Sequence, residues 1–136
     1  MSKLSSICIA LGTLALGACA HNANKAEYDA ALSRADRDYH EAIAKCDGYS
    51  GNAQDICEAE AKAQRAKSEA DAKAAYKGTS KAHYDQRVAA AEADYKVARQ
   101  RCDDLAGDNK DVCIKDAEAA LARAKADAKT AYRGTY

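Results

Sequence analysis

Apolar side chains recur along the first half of the chain at Tyr28, Leu32, Ala35, Tyr39, Ala42 and Cys46, at intervals of 4, 3, 4, 3 and 4. At 3.6 residues per turn these six share one side of a helix, and the intervening charges fall on the other. The series returns as Tyr84, Val88, Ala91, Tyr95, Ala98 and Cys102. Each stripe is followed by a short turn-forming segment and then by a second charged, Ala-rich run. The pattern predicts helices over 25–46, 53–77, 80–102 and 109–133, with bends between them.

The register of the two second arms is ambiguous, because alanine occupies several faces at once. Ile56, Ala59, Ala63, Ala66 and Ala70 make one candidate stripe, and Ile114 and Leu121 mark the bulky positions of the later arm. The ends are better defined. Asn24 with Glu27 three residues on is a capping-box pattern for the first helix. Asn52 and Asp108 stand at equivalent places where an N-cap is wanted, with Asp55 and Asp111 in the following turn. Gly78 and Gly134 suit left-handed C-terminal caps, and Ser80 can start the third helix.

Residues 28–80 align on 84–136 without a gap at an offset of 56, and 22 of those 53 positions are identical. The chain is an internal duplication of one supersecondary unit. The reading is all-α: two tandem helical hairpins, with an antiparallel four-helix bundle and an extended pair of hairpins both open to them. The divisions are 1–18 as a signal peptide, 19–27 as a linker and helix start, 28–80 as hairpin 1 and 84–136 as hairpin 2.

Composition adds one constraint. Among 136 residues there are 35 alanines and eight tyrosines, with no Pro, Trp or Phe. Helix propensity is high, but a buried Ala contributes little beside the roughly 1.5–3 kcal/mol of a buried Leu. The core is therefore thin, and covalent staples matter. Lys+Arg and Asp+Glu both number 21, so no net field favours nucleic acid.

Met1-Ser2-Lys3 is a short basic start, and Leu4 to Ala18 is uncharged and apolar. That run is short for a membrane span and suits a secretory signal. Leu16-Gly17-Ala18-Cys19 looks like the lipobox of bacterial lipoproteins, which implies cleavage before a lipidated Cys19 and, with Ala20 next, an outer-membrane lipoprotein facing the periplasm. Ala18-Cys19-Ala20 also fits ordinary cleavage, giving a soluble periplasmic chain from His21.

Beyond Cys19 four cysteines remain, an even number suited to an oxidising compartment. In one continuous helix Cys46 and Cys57 would lie roughly 16 Å apart along the axis, too far for a bridge. A bend around Gly48–Asn52 brings them together. The preferred pairing is Cys46–Cys57 with Cys102–Cys113, one per hairpin. Cross-pairing of Cys46 with Cys102 and Cys57 with Cys113 stays open, because an up-down-up-down bundle puts both bends at one end.

Catalytic and metal chemistry find little footing. The C-x10-C spacing is not a zinc-ribbon or finger pattern. His40 aligns with Lys96 and His83 with Glu27, and His21 lies outside the repeat, so no histidine recurs in both copies. There is no C-x-x-C, and narrow Ala-rich helices leave little room for a hydrolase pocket. Neither a catalytic residue nor a metal ligand nor a cofactor is expected. The tyrosines are read as core filling with their hydroxyls toward solvent or a neighbour.

The repeated C-D-x-x-x-G-x-x-x-D-[IV]-C core, Cys46 to Cys57 and Cys102 to Cys113, resembles a group of small exported proteobacterial helical proteins of unknown function. That group is loosely labelled as cell-envelope biogenesis proteins, by compositional likeness to the helical middle of the Tol-system spanning protein. The L-T-x-x-Q motif of periplasmic helical-hairpin chaperones is absent. The expectation is a non-catalytic envelope protein with a structural, interaction or envelope-stress role, membrane-associated through its lipid anchor, with an envelope partner and room for self-association. The competing expectation is a periplasmic binder, chaperone-like or metal-binding through Cys or His.

Overall fold

The computed structural model describes residues 23–133. Cys19, the leader before it, His21 and Gly134 lie outside the described residues. Four helices follow in order: α1 Lys25–Cys46, α2 Asn52–Lys77, α3 Ser80–Cys102 and α4 Gly107–Arg133. The chain is all-α, two tandem hairpins as its periodicity predicts.

The helix ends follow local chemistry. Asn24 Oδ1 accepts from the Glu27 amide at 3.0 Å, and Glu27 Oε2 accepts from the Asn24 amide at 2.8 Å, completing the capping box. Gly78 closes α2 with φ 58° and ψ 18°, the left-handed cap for which glycine is favoured. Thr79 then caps α3, its Oγ1 accepting from the Ala82 amide at 3.1 Å.

The start of α2 corrects the expectation for Asn52. Gly51 holds the cap position, at φ 59° and ψ −145°, and no side chain caps this end. Asn52 is the first residue of the helix, and its side chain turns away to the second hairpin. Gly107 repeats the positive φ at 56°. Both bends thus turn on a glycine placed five residues after the first cysteine of the repeat.

Among the described residues each helix packs only against its neighbours in the chain: α1 on α2, α2 on α3 and α3 on α4. Among the described residues α1 and α4 do not meet, so the helices form an open antiparallel row. The inner helices α2 and α3 must then present two packing faces each. That is why no single stripe describes the second arm.

On α2, Cys57, Ala61, Ser68 and Ala72 recur at intervals of 4, 7 and 4, on the side bridged to α1. Their copy equivalents on α4 are Cys113, Ala117, Ala124 and Ala128. Ala61, Ala72, Ala117 and Ala128 are all buried. The other face of α2 carries Ala63, which clusters with Ala93 and Val97 of α3, with Ala59 packed alongside. Of the candidate stripe through Ile56, Ala63 is buried while Ala66 is exposed, because that stripe follows only one of the two faces.

Among the described residues the buried apolar ones are alanines, Val97 and two cysteines, and only Cys46 and Cys102 are less than 2% exposed. No Leu or Ile reaches that depth. The core is as thin as the composition implies.

Candidate interaction surface

The cysteines pair within each hairpin. Cys46 closes α1 and bonds Cys57 in the second turn of α2, with Cα atoms 5.6 Å apart; Cys102 and Cys113 repeat this at 5.7 Å. Cross-pairing does not occur. Each bridge joins one cysteine at the deepest point of the core to a partner that is half-buried. At the opposite end of each hairpin two tyrosines meet. Tyr28 stacks on Tyr76 with ring centroids 4.9 Å apart, and Tyr84 meets Tyr132 at 5.4 Å. Every hairpin is thus fastened at one end by sulfur and at the other by a ring pair.

The two hairpins are joined along the seam between α2 and α3. At the bend end, Asn52 Nδ2 donates to the Gln100 carbonyl at 3.3 Å and to Asp104 Oδ1 at 2.7 Å. Gln100 Nε2 donates back to Asn52 Oδ1 at 3.0 Å. Further along, Arg101 pairs with Glu60 at 2.6 Å and Lys67 pairs with Asp94. Gln86 Nε2 donates to Asp71 at 2.7 Å near the far end. The polar rungs flank the Ala63, Ala93 and Val97 cluster.

Beside this seam run two grooves. One, about 400 Å³, has Ala59, Ala63 and Ala93 in its lining with Glu58, Lys62, Glu92 and Lys96 among the charged groups. The other, about 530 Å³, reaches from Tyr28 and Leu32 of α1 across α2 to Ala82 and Gln86 of α3. Ala66 and Ala89 line both. The result is an alanine-lined trough with charges of both signs along it.

Ionisation follows the helix-surface pairs. Lys62 is raised above its ordinary value chiefly by its hydrogen bond to Glu58. Lys25 and Lys81, at copy-equivalent positions, are raised in the same way by Asp29 and Asp85, also equivalent. All three are bonds between residues four apart on one helix.

The two described histidines stay apart. His40 is exposed and leans on Tyr39, centroid to centroid 5.5 Å, while His83 is exposed at the start of α3 beside Tyr84 and Tyr132. Among the described residues no group of three His, Cys, Asp or Glu side chains is placed to hold a metal ion. What the sequence reading lacked was the Asn52, Gln100 and Asp104 knot. Its members are not repeated in the other copy, and their departure from the repeat was the available signal.

Among the described residues, no helix is long and apolar enough to cross a membrane. No protein-family model, no curated protein and no solved structure matches the chain.

Proposed function

We propose that the chain is a non-catalytic protein of the cell envelope, with a structural or partner-binding role and with Cys19 as its lipid attachment point at the outer membrane. The observation that carries the reading is the pair of disulfides, one in each hairpin. Disulfides persist in oxidising compartments and are rare in reducing ones. In a core this thin their loop-closing contribution is a large share of the total. The lipobox-like Leu16 to Cys19 and the resemblance to small exported proteobacterial helical proteins point to the same place, and a role under envelope stress accords with it.

Non-reducing peptide mapping with intact mass, on protein recovered from an envelope fraction, tests this. The expected result is oxidised Cys46–Cys57 and Cys102–Cys113 peptides and a diacylglycerol mass on Cys19. A chain that begins at His21, cut after Ala20 and so without Cys19, would instead be a soluble periplasmic protein. Free thiols in the recovered protein would remove the reading altogether.

A chaperone-like binder is the second reading, favoured by the alanine-lined trough along α2 and α3. Suppression of a client's aggregation at near-stoichiometric ratio supports it, and no effect at large excess ends it. Binding of a soft metal through the four cysteines would first require both bridges to be reduced.

A further inference from the structure

The seam between the hairpins has a counterpart on the outside of the row. Because the chain is a duplication, each α2 residue at the seam has a copy on α4, and each α3 residue has a copy on α1. Among the described residues helix α1 packs only on α2 and α4 only on α3, so those copies lie on the two outer faces of the row.

At the seam, Glu60 pairs with Arg101; the copies are Asp116 on α4 and Lys45 on α1. Lys67 pairs with Asp94; the copies are Arg123 and Asp38. Both charge pairs are therefore kept with the same sense, on faces that do not meet within one molecule.

Where the seam is apolar, the outer faces differ from it in a correlated way. Ala59 packs against the cluster containing Val97; the copies are Lys115 and Glu41. Lys62 lines the same groove as Ala93; the copies are Glu118 and Arg37. Again both juxtapositions are of opposite sign. All eight residues are exposed, and none takes part in an ion pair among the described residues. Four juxtapositions, each of opposite sign, make the two outer faces complementary in charge. Ala119 and Ala122 on α4 lie among these charges, as does Ala44 on α1, with Ser33 one turn before them; these small residues allow close approach.

We propose that the outer face of α4 docks the outer face of α1 of a second copy of this chain, repeating the α2–α3 seam between molecules. The contact is heterologous, so it propagates head to tail as a row of hairpins and does not close as a two-fold dimer. It stands on the seam geometry and does not depend on the compartment or the lipid. It is also weaker than the internal seam, because the Asn52, Gln100 and Asp104 knot is replaced by Asp108, Ala44 and Gly48. Exposed ion pairs contribute modestly and are screened by salt.

Sedimentation velocity on the oxidised full chain tests this, at an ionic strength of about 0.01 M and again at about 1 M, where the Debye length falls from about 30 Å to about 3 Å. The expected result is a concentration-dependent ladder of species at low salt that collapses toward monomer at high salt. Two variants identify the faces: Asp38→Arg with Lys45→Asp on α1, and Asp116→Lys with Arg123→Glu on α4. Each alone should weaken association about tenfold or more, since two attractions become repulsions. Mixing the two should restore it, because each chain then offers the other a matched pair of faces. Far-UV circular dichroism checks that both variants remain helical. A monomer at all concentrations overturns the proposal, as it would if the chain's own N-terminal segment covered α1. A closed dimer, or association that ignores the reversals, also overturns it; the latter is what contact through the apolar run Leu4 to Ala18 would give.

Discussion

Asn52 and Gln100 hold each other across the hairpin seam, one side-chain amide receiving from the other at 3.0 Å while returning a bond to its main-chain carbonyl at 3.3 Å. Forty-eight residues separate them in sequence. They bring the first turn of α2 to the last turn of α3 and, through Asp104, tie both bends together. Asn52→Ala should cost about 1–3 kcal/mol, since it leaves partly buried Gln100 groups without their partner. Asn52→Asp, which imitates Asp108 of the other copy, should cost more at neutral pH because it sets a carboxylate beside Asp104. Urea unfolding of the three proteins at pH 7 and pH 3 checks this, with the extra cost of the Asp variant shrinking at the lower pH.

The two bridges should dominate stability. Each closes a short loop between cysteines 11 apart in sequence, for which chain entropy gives about 2–3 kcal/mol. Cys46→Ser with Cys57→Ser should lower the melting temperature markedly, and so should the Cys102 and Cys113 pair. Removing both should leave a chain with little cooperative melting. Thermal melts followed at 222 nm, with and without reductant, provide the check; a reductant-insensitive melt would show that the alanine core suffices.

Gly51 stands at φ 59° and ψ −145°, a region occupied almost only by glycine. A Cβ there would meet nothing within 4 Å. Gly51→Ala should therefore destabilise through backbone strain alone, by about 1–3 kcal/mol. Gly78→Ala, at a left-handed cap with ψ 18°, should cost about 1–2 kcal/mol. Chemical denaturation of the two variants should rank them in that order.

Lys62 is raised by its bond to Glu58. A raised folded-state value means that its contribution is complete below the ordinary lysine value and is lost as the pH rises through the folded value. The pair is exposed, so the effect is small, about 0.3–0.5 kcal/mol for helix residues four apart. Lys62→Met should lose that amount near neutrality and converge on the parent above the lysine range. Urea midpoints from neutral pH to beyond the lysine range measure it, and a difference that persists unchanged past that range would refute the assignment.

The sequence alone determined much of what local physics controls. Helix ends were legible because caps are local: Asn24 with Glu27, and Gly78. The α1–α2 and α3–α4 disulfides were legible because duplication put one cysteine pair at each bend, and a bend is the only way to bring those sulfurs together. The stripes of α1 and α3 toward their own hairpin partners were legible from their 4-3-4-3-4 spacing.

The tertiary structure decided how the hairpins meet. Alanine on several faces of α2 is compatible with more than one neighbour, so the second packing face through Ala63 appears only when α3 lies against it. Asn52 looked like a cap because asparagine serves that purpose locally; the Gly51 backbone freed it to bond across 48 residues instead. Local spacing registers where a helix begins and which side is greasy. It does not register which distant side chain a polar group will find, because that depends on the closeness of two surfaces that no short stretch of chain specifies.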